Sequence, residues 1–346
     1  MPLAPKQTIA ALLDQDDPAL KDVMAHYAVA VTEDVLATMN PQDPQDPVAR
    51  QYLPSAAEAV TAPDEKNDPI GDAAHSPVKG IVHRYPDRVL LKPVHVCAVY
   101  CRFCFRREMV GPGSDMLSAA ELEAALDYIR RAPHVWEVIL TGGDPLVLSP
   151  RRLQYIVTAL SAMPHVNVIR IHTRVPVADP SRVTAEMIAA LQSEKAVYVV
   201  LHANHAHELT EKVKSVCDRF IRAGIVLLSQ STLLRGVNDR AEVLEALFRK
   251  LTAMKVKPYY LHHPDLAPGT SHFRLPLAQG QEIVRRLQGR LSGIALPRYM
   301  LDIPGGFGKV PVEPRWIEKT DNGYTVTDMH GGTHAYEGAI RDSETD

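Results

Sequence analysis

The spacing of apolar residues changes along this chain. From about residue 88, short runs rich in β-branched residues alternate with segments whose apolar residues recur every three or four positions. The runs are "RVLLKPVHV", "VWEVILTGGDP", "VNVIRIHTR", "AVYVVLHAN", "GIVLLSQST", "VKPYYLHHPD" and "PRYMLDIPGG". A run and the amphipathic segment after it take roughly 30 residues, the length of one βα unit in a parallel sheet. Ser118 and Glu121 predict the start of the first helix, because this pairing is typical of a capping box.

Polar or glycine-rich residues follow each apolar run. They are three cysteines, Gly142-Gly143-Asp144, His172-Thr173-Arg174, His202-Ala203-Asn204, Ser229-Gln230-Ser231, His262-His263 with Asp265, and Asp302. If every run is a strand, these groups collect at one end of the sheet, where βα barrels build active sites. An open sheet takes its ligand groups mainly from near one switch point. The pattern therefore favours an α/β fold with a complete or partial barrel.

Residues 1–75 have a different character. A helical pattern in "ALKDVMAHYAVAVTEDVLATM" is followed by the polar stretches "NPQDPQDPVARQYLP" and "TAPDEKNDPIGDAAHSP". We predict a helical N-terminal extension with a Pro- and Asp-rich linker at 1–75, a βα core at 76–312 and a C-terminal tail at 313–346.

The composition excludes several classes of protein. The chain has 346 residues, of which 46% are apolar and 23% charged, as in ordinary globular proteins. A net charge of −3 gives no reason to expect nucleic acid as a partner. No apolar run approaches the length of a membrane span, and the first residues lack the pattern of a secretory signal. The four cysteines form no disulfide framework, so we expect a reducing cytoplasm.

Three of the four cysteines lie in "CAVYCRFCFRR", spaced C-x3-C-x2-C at Cys97, Cys101 and Cys104. A structural zinc site would need a fourth ligand from elsewhere. The remaining cysteine, Cys217, lies on the apolar face of a predicted helix, where we expect a core residue. A 4Fe–4S cluster on three thiolates would instead leave one iron open to a small molecule. The position after the first strand favours the cluster over zinc.

This cysteine pattern resembles that of the radical S-adenosylmethionine superfamily. The resemblance implies a partial (βα)6 barrel and a 4Fe–4S cluster whose open iron binds S-adenosylmethionine. One-electron reduction then cleaves the sulfonium to give a 5′-deoxyadenosyl radical. The segment "TGGDP" matches the superfamily's Gly-Gly-Glu-like strand, which implies that Gly142, Gly143 and Asp144 contact S-adenosylmethionine. Alone, such a tripeptide is more often a turn.

A narrower resemblance covers residues 76–312. The blocks "SPVKGIVHRYPDRVLL", "CRFCFRREMVG", "LTGGDPL", "SQSTLLRGVND", "DLAPGTSHFR" and "DIPGGFGKVPV" resemble the lysine 2,3-aminomutase family in order and spacing. The resemblance implies an isomerase that interconverts L-lysine and L-β-lysine. It also implies pyridoxal 5′-phosphate as a third cofactor and a low-potential electron donor of the flavodoxin or ferredoxin type.

The resemblance assigns three residues to pyridoxal phosphate. Lys309 in "PGGFGKVP" matches the lysine that holds the cofactor, although the residues alone favour a surface lysine. Tyr85 and Arg88 in "HRYPDR" match the contacts to the cofactor ring and phosphate. A guanidinium binds phosphate bidentately, but by pattern alone Arg88 is more often a surface residue before a strand.

Other matches concern S-adenosylmethionine. His202, Asn204 and Gln230 match positions near it, although a histidine at a strand end is often only a core residue.

The remaining matches concern the substrate. Arg106 matches the arginine that binds its carboxylate, and Asp265 and Asp302 match the pair that binds the distal ammonium of lysine. Two carboxylates repel each other unless a cation lies between them, which strengthens the preference for a cationic side chain. From the residues alone, both aspartates are equally explained as turn caps.

Several alternatives stay open. Glutamate 2,3-aminomutases would need a cationic or neutral group at the two aspartate positions, so the aspartates favour free lysine. Enzymes of elongation factor P lysylation, or an aminomutase for another basic amino acid, would differ only in substrate. An iron–sulfur electron carrier or structural metal protein would need no pyridoxal phosphate.

The chain also departs from the family. Arg240 stands where longer members carry a zinc-binding cysteine, and no cysteine follows Cys217. We therefore expect no zinc site, which leaves a homo-oligomer as an open question. His262 and His263 are adjacent in a predicted strand and face opposite ways, so they are not expected to share a metal.

Overall fold

A computed structural model of the chain describes residues 9, 12–13, 16–40, 42–111, 116–320 and 323–336. Within these residues, nine strands form one sheet in chain order. They are β1 (Ile81–Tyr85), β2 (Arg88–Val94), β3 (Glu137–Gly142), β4 (Val168–Thr173), β5 (Ala196–His202), β6 (Val226–Thr232), β7 (Lys257–His262), β8 (Arg298–Asp302) and β9 (Lys309–Pro311). Strands β2 to β8 run parallel, and β1 and β9 pair antiparallel at the two edges.

Helices cover the outside of this curved sheet. In the described part of the chain they are α1 (Pro18–His26), α2 (Glu33–Leu36), α3 (Ala49–Tyr52), α4 (Ala119–Arg130), α5 (Pro150–Ser161), α6 (Val175–Ala178), α7 (Ala185–Ala189), α8 (Glu211–Arg222), α9 (Ala241–Ala253) and α10 (Leu277–Leu287). One or two helices connect each pair of consecutive parallel strands, which gives six βα units followed by β8. The predicted partial (βα)6 barrel is confirmed, and the seven predicted runs correspond to β2 to β8.

Local sequence explains how these helices begin and which side they bury. The predicted capping box is present, because the Oγ of Ser118 accepts from the backbone N–H of Glu121 and the Glu121 carboxylate accepts in return. In α8, Val213, Cys217 and Phe220 are buried against the sheet at helical spacing. Cys217 is therefore a core residue, as its pattern predicted.

The described part of residues 1–75 packs onto the barrel. Val31, Val35, Val48 and Tyr52 belong to the same apolar core as the strands and helices of the barrel. Burial of these side chains removes apolar surface from water at roughly 25 cal/mol per Å². The N-terminal region is thus part of one continuous core, while its residues 1–8, 10–11, 14–15 and 41 lie outside the described residues.

The predicted C-terminal tail contains regular structure that its sequence did not indicate. A separate antiparallel sheet is formed by β10 (Ile317–Thr320), β11 (Gly323–Thr327) and β12 (Thr333–Tyr336). Its strands are four or five residues long and largely exposed, so their alternation of apolar and polar residues is too short to predict a strand. None of the helices in the described ranges has the length and apolar character needed to cross a membrane.

Candidate active site

A cavity of about 560 Å³ lies inside the curved sheet and takes lining residues from all nine of its strands. Every predicted site residue lines this cavity: Cys97, Cys101, Cys104, Tyr85, Arg88, Arg106, Gly142, Gly143, Asp144, His202, Asn204, Gln230, Asp265, Asp302 and Lys309. The strand ends and loops that bring them together are up to 224 residues apart in sequence, as are Tyr85 and Lys309.

The three clustered cysteines lie in the loop after β2. Burial raises the pKa of the Cys101 thiol to about 11, and it also raises the pKa values of Cys97 and Cys104. The charges of Asp144 and of the two neighbouring thiols add to the rise of the pKa of Cys97. Such buried thiols ionise only when a cation compensates their charge, as the irons of a cluster do.

The donor set therefore fits a 4Fe–4S cluster. The described residues include no group of three His, Cys, Asp or Glu side chains arranged around a single metal ion. Cluster thiolates each bind a different iron and need not converge on one point.

Glu58, from the N-terminal region, fixes the cysteine loop. Its fully buried carboxylate accepts from the Nε of Arg102 at 3.0 Å and from the Nη2 at 2.6 Å, and it also accepts from Arg107. The backbone N–H of Arg102 donates to the carbonyl of Gln51 at 2.8 Å. Two arginines that flank Cys104 are thus tied to one acid of the N-terminal region.

The glycine pair at the end of β3 brings its backbone against the same loop. Gly142 has a φ of +113°, and the N–H of Gly143 donates to the carbonyl of Val94 at 2.7 Å. A Cβ atom at Gly143 would lie 2.3 Å from the carbonyl oxygen of Val96. Only glycine allows this approach.

Asp144 uses its side chain to hold the neighbouring strand end. The buried carboxylate accepts from the hydroxyl of Thr173 at 2.7 Å and from the N–H groups of Leu146, Arg174 and Val175 at 3.0, 2.6 and 3.1 Å. All of these partners are protein groups, so a direct contact of this side chain to S-adenosylmethionine stays a prediction.

The residues matched to S-adenosylmethionine differ in the contacts that their side chains make with other protein groups. The Nε2 of His202 lies 3.3 Å from the Nδ1 of His172, and burial lowers the pKa of His202 to about 3. Asn204 is buried, donates to the Oε1 of Gln51 at 3.0 Å and accepts from the N–H of Thr232 at 2.8 Å. Gln230 lies on the cavity wall at β6.

Of the residues matched to pyridoxal phosphate, Tyr85 and Lys309 lie on the edge strands β1 and β9, and Arg88 is the first residue of β2. The backbone N–H of Lys309 donates to the hydroxyl of Tyr85 at 2.8 Å. The guanidinium carbon of Arg88 lies 3.7 Å from the centre of the Tyr85 ring. An amine, an aromatic ring and a guanidinium thus lie together on the cavity wall. They suit the aldehyde, the ring and the phosphate of pyridoxal phosphate, in that order.

Asp265 and Asp302 have opposite electrostatic environments. Burial, with a further contribution from the Asp302 charge, raises the pKa of Asp265 to about 7. Burial alone would also raise the pKa of Asp302, but its contacts with His262 and Lys309 outweigh burial and hold this pKa below its usual range. The Nζ of Lys309 lies 2.6 Å from both carboxylate oxygens of Asp302.

Arg106 is held by a second acid of the N-terminal region. Its Nε and Nη2 donate to Oδ2 of Asp72 at 3.1 and 2.9 Å, while Arg84 donates to Oδ1 of Asp72 at 3.1 Å. Lys92 approaches the same carboxylate at 3.5 Å. Burial opposes the charge of Asp72, but these cations outweigh burial and lower its pKa.

Known proteins are similar to this chain in sequence. The model of the Radical SAM superfamily matches residues 91–247. The L-lysine 2,3-aminomutase of Clostridium subterminale is 40% identical over 306 residues, which cover 88% of this chain and 74% of that protein. The L-lysine 2,3-aminomutase of Escherichia coli K12 is 36% identical over 288 residues, 83% of this chain and 84% of that protein.

A relative with a different name also aligns. The glutamate 2,3-aminomutase of Clostridioides difficile 630 is 33% identical over 318 residues, which cover 92% of this chain and 75% of that protein.

The chain belongs to the lysine 2,3-aminomutase family.

Membership in this family makes the chain a radical S-adenosylmethionine enzyme of the aminomutase type, an isomerase. It also implies a 4Fe–4S cluster and S-adenosylmethionine as cofactors. The predicted family resemblance is confirmed.

In this aminomutase, sequence reasoning missed several residues of the site. Asp72 lies in the second polar stretch and Glu58 in the short segment just before it, and nothing in their local sequence marks them as buried. Arg174 had a positional signal, because it follows β4 at the active end of the barrel. It donates to Glu208 at 2.9 Å, and both side chains are buried beside the cysteine loop.

Proposed function

We propose that the chain interconverts free L-lysine and L-β-lysine by 2,3-migration of the amino group. The observation that carries this proposal is the acidic pair Asp265 and Asp302, which lines the cavity that also holds the cysteine motif. The charge of each carboxylate disfavours the charge of the other, and a cation placed between them relieves that repulsion. The distal ammonium of lysine is such a cation.

Arg106 supports the proposal from the other end of the substrate. The bonds found for its guanidinium use Nε and Nη2, which leaves Nη1 for a substrate carboxylate. A cavity with an arginine and two aspartates on its wall suits an amino acid that carries opposite charges at its two ends. Glutamate carries a carboxylate at both ends. Its side-chain carboxylate would lie against Asp265 and Asp302, and the like charges would repel each other.

The remaining residues take the following roles in this proposal. Cys97, Cys101 and Cys104 hold the cluster, and Gly142, Gly143, Asp144, His202, Asn204 and Gln230 form the S-adenosylmethionine site. Lys309 holds pyridoxal phosphate, with Tyr85 against its ring and Arg88 on its phosphate. When bound, these groups supply a carbon radical and a carbonyl that carries the migrating nitrogen.

The protein's own contribution is placement. A carbon radical has little charge, so the walls must position the reacting carbon and exclude water more than tune proton transfer. The edge pairing of β8 with β9 aligns Asp302 opposite Lys309, which sets the amine next to the acid that selects the substrate. We also propose a cytoplasmic enzyme that takes electrons from a low-potential flavodoxin or ferredoxin.

The test is product analysis under strictly anaerobic conditions. The protein is reconstituted with iron, sulfide and pyridoxal phosphate, reduced, and given S-adenosylmethionine with L-lysine, L-glutamate or elongation factor P carrying a lysyl group. We expect β-lysine, detected by mass spectrometry, from free lysine alone. Product only from glutamate or only from the lysylated protein would overturn the assignment, and zinc in place of about four irons per chain would overturn the chemistry.

A further inference from the structure

His262 is the last residue of β7, and its two ring nitrogens have different surroundings. The side chain is only 7% exposed and lines the cavity. Its Nδ1 lies 3.5 Å from the Oδ2 of Asp302. Its Nε2 is buried and has no hydrogen-bond partner among the described residues. Buried polar atoms are rarely left in this state, so the orphaned Nε2 points to a ligand.

The contact with Asp302 decides which nitrogen carries the proton. A carboxylate accepts hydrogen bonds, so the nitrogen that faces it is the N–H donor. Nε2 of the neutral ring is then an acceptor, and burial keeps the ring neutral by lowering the pKa of His262. The ligand group that reaches Nε2 must therefore be a donor.

The neighbouring histidine does not compete for this role. His263 faces the opposite side of β7, where its Nδ1 lies 2.7 Å from the hydroxyl of Tyr299. The strand alternation predicted from the sequence thus places one imidazole of the pair on the cavity wall and directs the other into the packing behind the sheet.

We propose that the Nε2 of His262 is the third acceptor for the distal ammonium of the substrate, beside Asp265 and Asp302. An ammonium carries three N–H donors, and the two aspartates with His262 supply one acceptor for each. The inference rests on the proposed function, because it names the group that completes the same substrate site. It makes His262 a specificity-determining residue that disfavours a side chain ending in a methyl group or a carboxylate.

A matched pair of variants tests this role. In His262→Asn, the amide can still donate to Asp302, but nothing replaces Nε2. In His262→Gln, the longer side chain returns a carbonyl acceptor near the Nε2 position. Both are compared with the wild type for binding of L-lysine and of L-norleucine, which is lysine without its distal ammonium.

Binding is measured by equilibrium dialysis on the reconstituted enzyme kept oxidised, so that no turnover occurs. We expect His262→Asn to reduce the preference for lysine over norleucine about tenfold, and His262→Gln to keep most of it. Equal weakening of both ligands, or an unchanged preference in His262→Asn, would overturn the role of His262. A wild-type enzyme without any preference for lysine would overturn the proposed function as well.

A second measurement avoids variants that lose their cofactors. In a crystal structure of the wild-type enzyme with L-lysine, the distal nitrogen is expected within about 3.2 Å of the Nε2 of His262. An Nε2 atom bonded to a cofactor instead, or still without a partner, would refute the proposal.

Discussion

The Nζ atom of Lys309 lies 2.6 Å from both carboxylate oxygens of Asp302. The residue proposed to hold pyridoxal phosphate and a residue proposed to bind the substrate therefore form an ion pair. Under the proposed function, a cofactor held by Lys309 would take its amine out of this pair and leave the Asp302 carboxylate for the substrate.

Replacement of Asp302 by Asn should separate these two roles. We expect the affinity of the loaded enzyme for L-lysine to fall at least tenfold, because a charge-assisted hydrogen bond to the ammonium is lost. Pyridoxal phosphate content, read from its absorbance, should stay close to that of the wild type. The control is Asp127→Asn on the exposed face of α4, and equal losses of lysine and cofactor would show that Asp302 is only structural.

The raised pKa of Asp265 predicts a pH dependence of substrate binding. With a pKa of about 7, this carboxyl is neutral below that pH and charged above it. Lysine keeps its distal charge from pH 6 to 8, so its affinity should rise over this range as Asp265 ionises. At pH 7, binding should release about half a proton.

Calorimetry in buffers of different ionisation enthalpy measures this proton release. Asp265→Asn should abolish it and flatten the pH profile, whereas a profile that persists in this variant would assign the titration to another group.

Replacement of Glu58 by Gln tests the support of the cysteine loop. Arg102 and Arg107 would stay buried without a counter-charge, a change that costs roughly 3–5 kcal/mol of unfolding free energy. The amount of iron bound per chain after reconstitution should fall together with the free energy of unfolding. The control is Glu282→Gln, whose ion pair on α10 is exposed and should contribute less than about 1 kcal/mol. Urea unfolding and iron analysis provide the two readings.

Replacement of Asp72 by Asn should loosen the hold on Arg106. We expect the KM for L-lysine to rise roughly tenfold with a smaller change in kcat, because the guanidinium loses the charged partner that orients it. Affinity for 1,5-diaminopentane, which is lysine without its carboxylate, should change little. A parallel loss of affinity for the diamine would indicate general damage to the site.

Replacement of Gly143 by Ala should destabilise the loop after β3. The added methyl group would meet the carbonyl of Val96 at 2.3 Å, and backbone cannot move aside cheaply. We expect a loss of more than about 2 kcal/mol and a poorly loaded cluster. Gly293→Ala has nothing within 4 Å of the new atom and serves as the neutral comparison. Similar unfolding midpoints for both variants would contradict the steric argument.

The sequence predicts a feature well when its pattern lies within one segment, and poorly when the feature depends on residues far away in the chain. The runs that became β2 to β8 are long enough to show their pattern, and the strand-end rule then placed the cysteines, the glycine pair and both aspartates in one cavity. The edge strands β1 and β9 were missed, because they are short and their pairing is set by neighbours. Glu58 and Asp72 were missed because a charged residue is buried only where a distant arginine compensates it.

The two acids of the N-terminal region have a consequence for how the enzyme matures. Arg102, Arg106 and Arg107 surround the cysteine motif, and Glu58 and Asp72 supply their counter-charges. Without these acids, three guanidinium charges would lie uncompensated where iron cations must bind, and they would repel the iron. We therefore expect the N-terminal region to be needed for cluster loading, although it contributes no cysteine to the cluster.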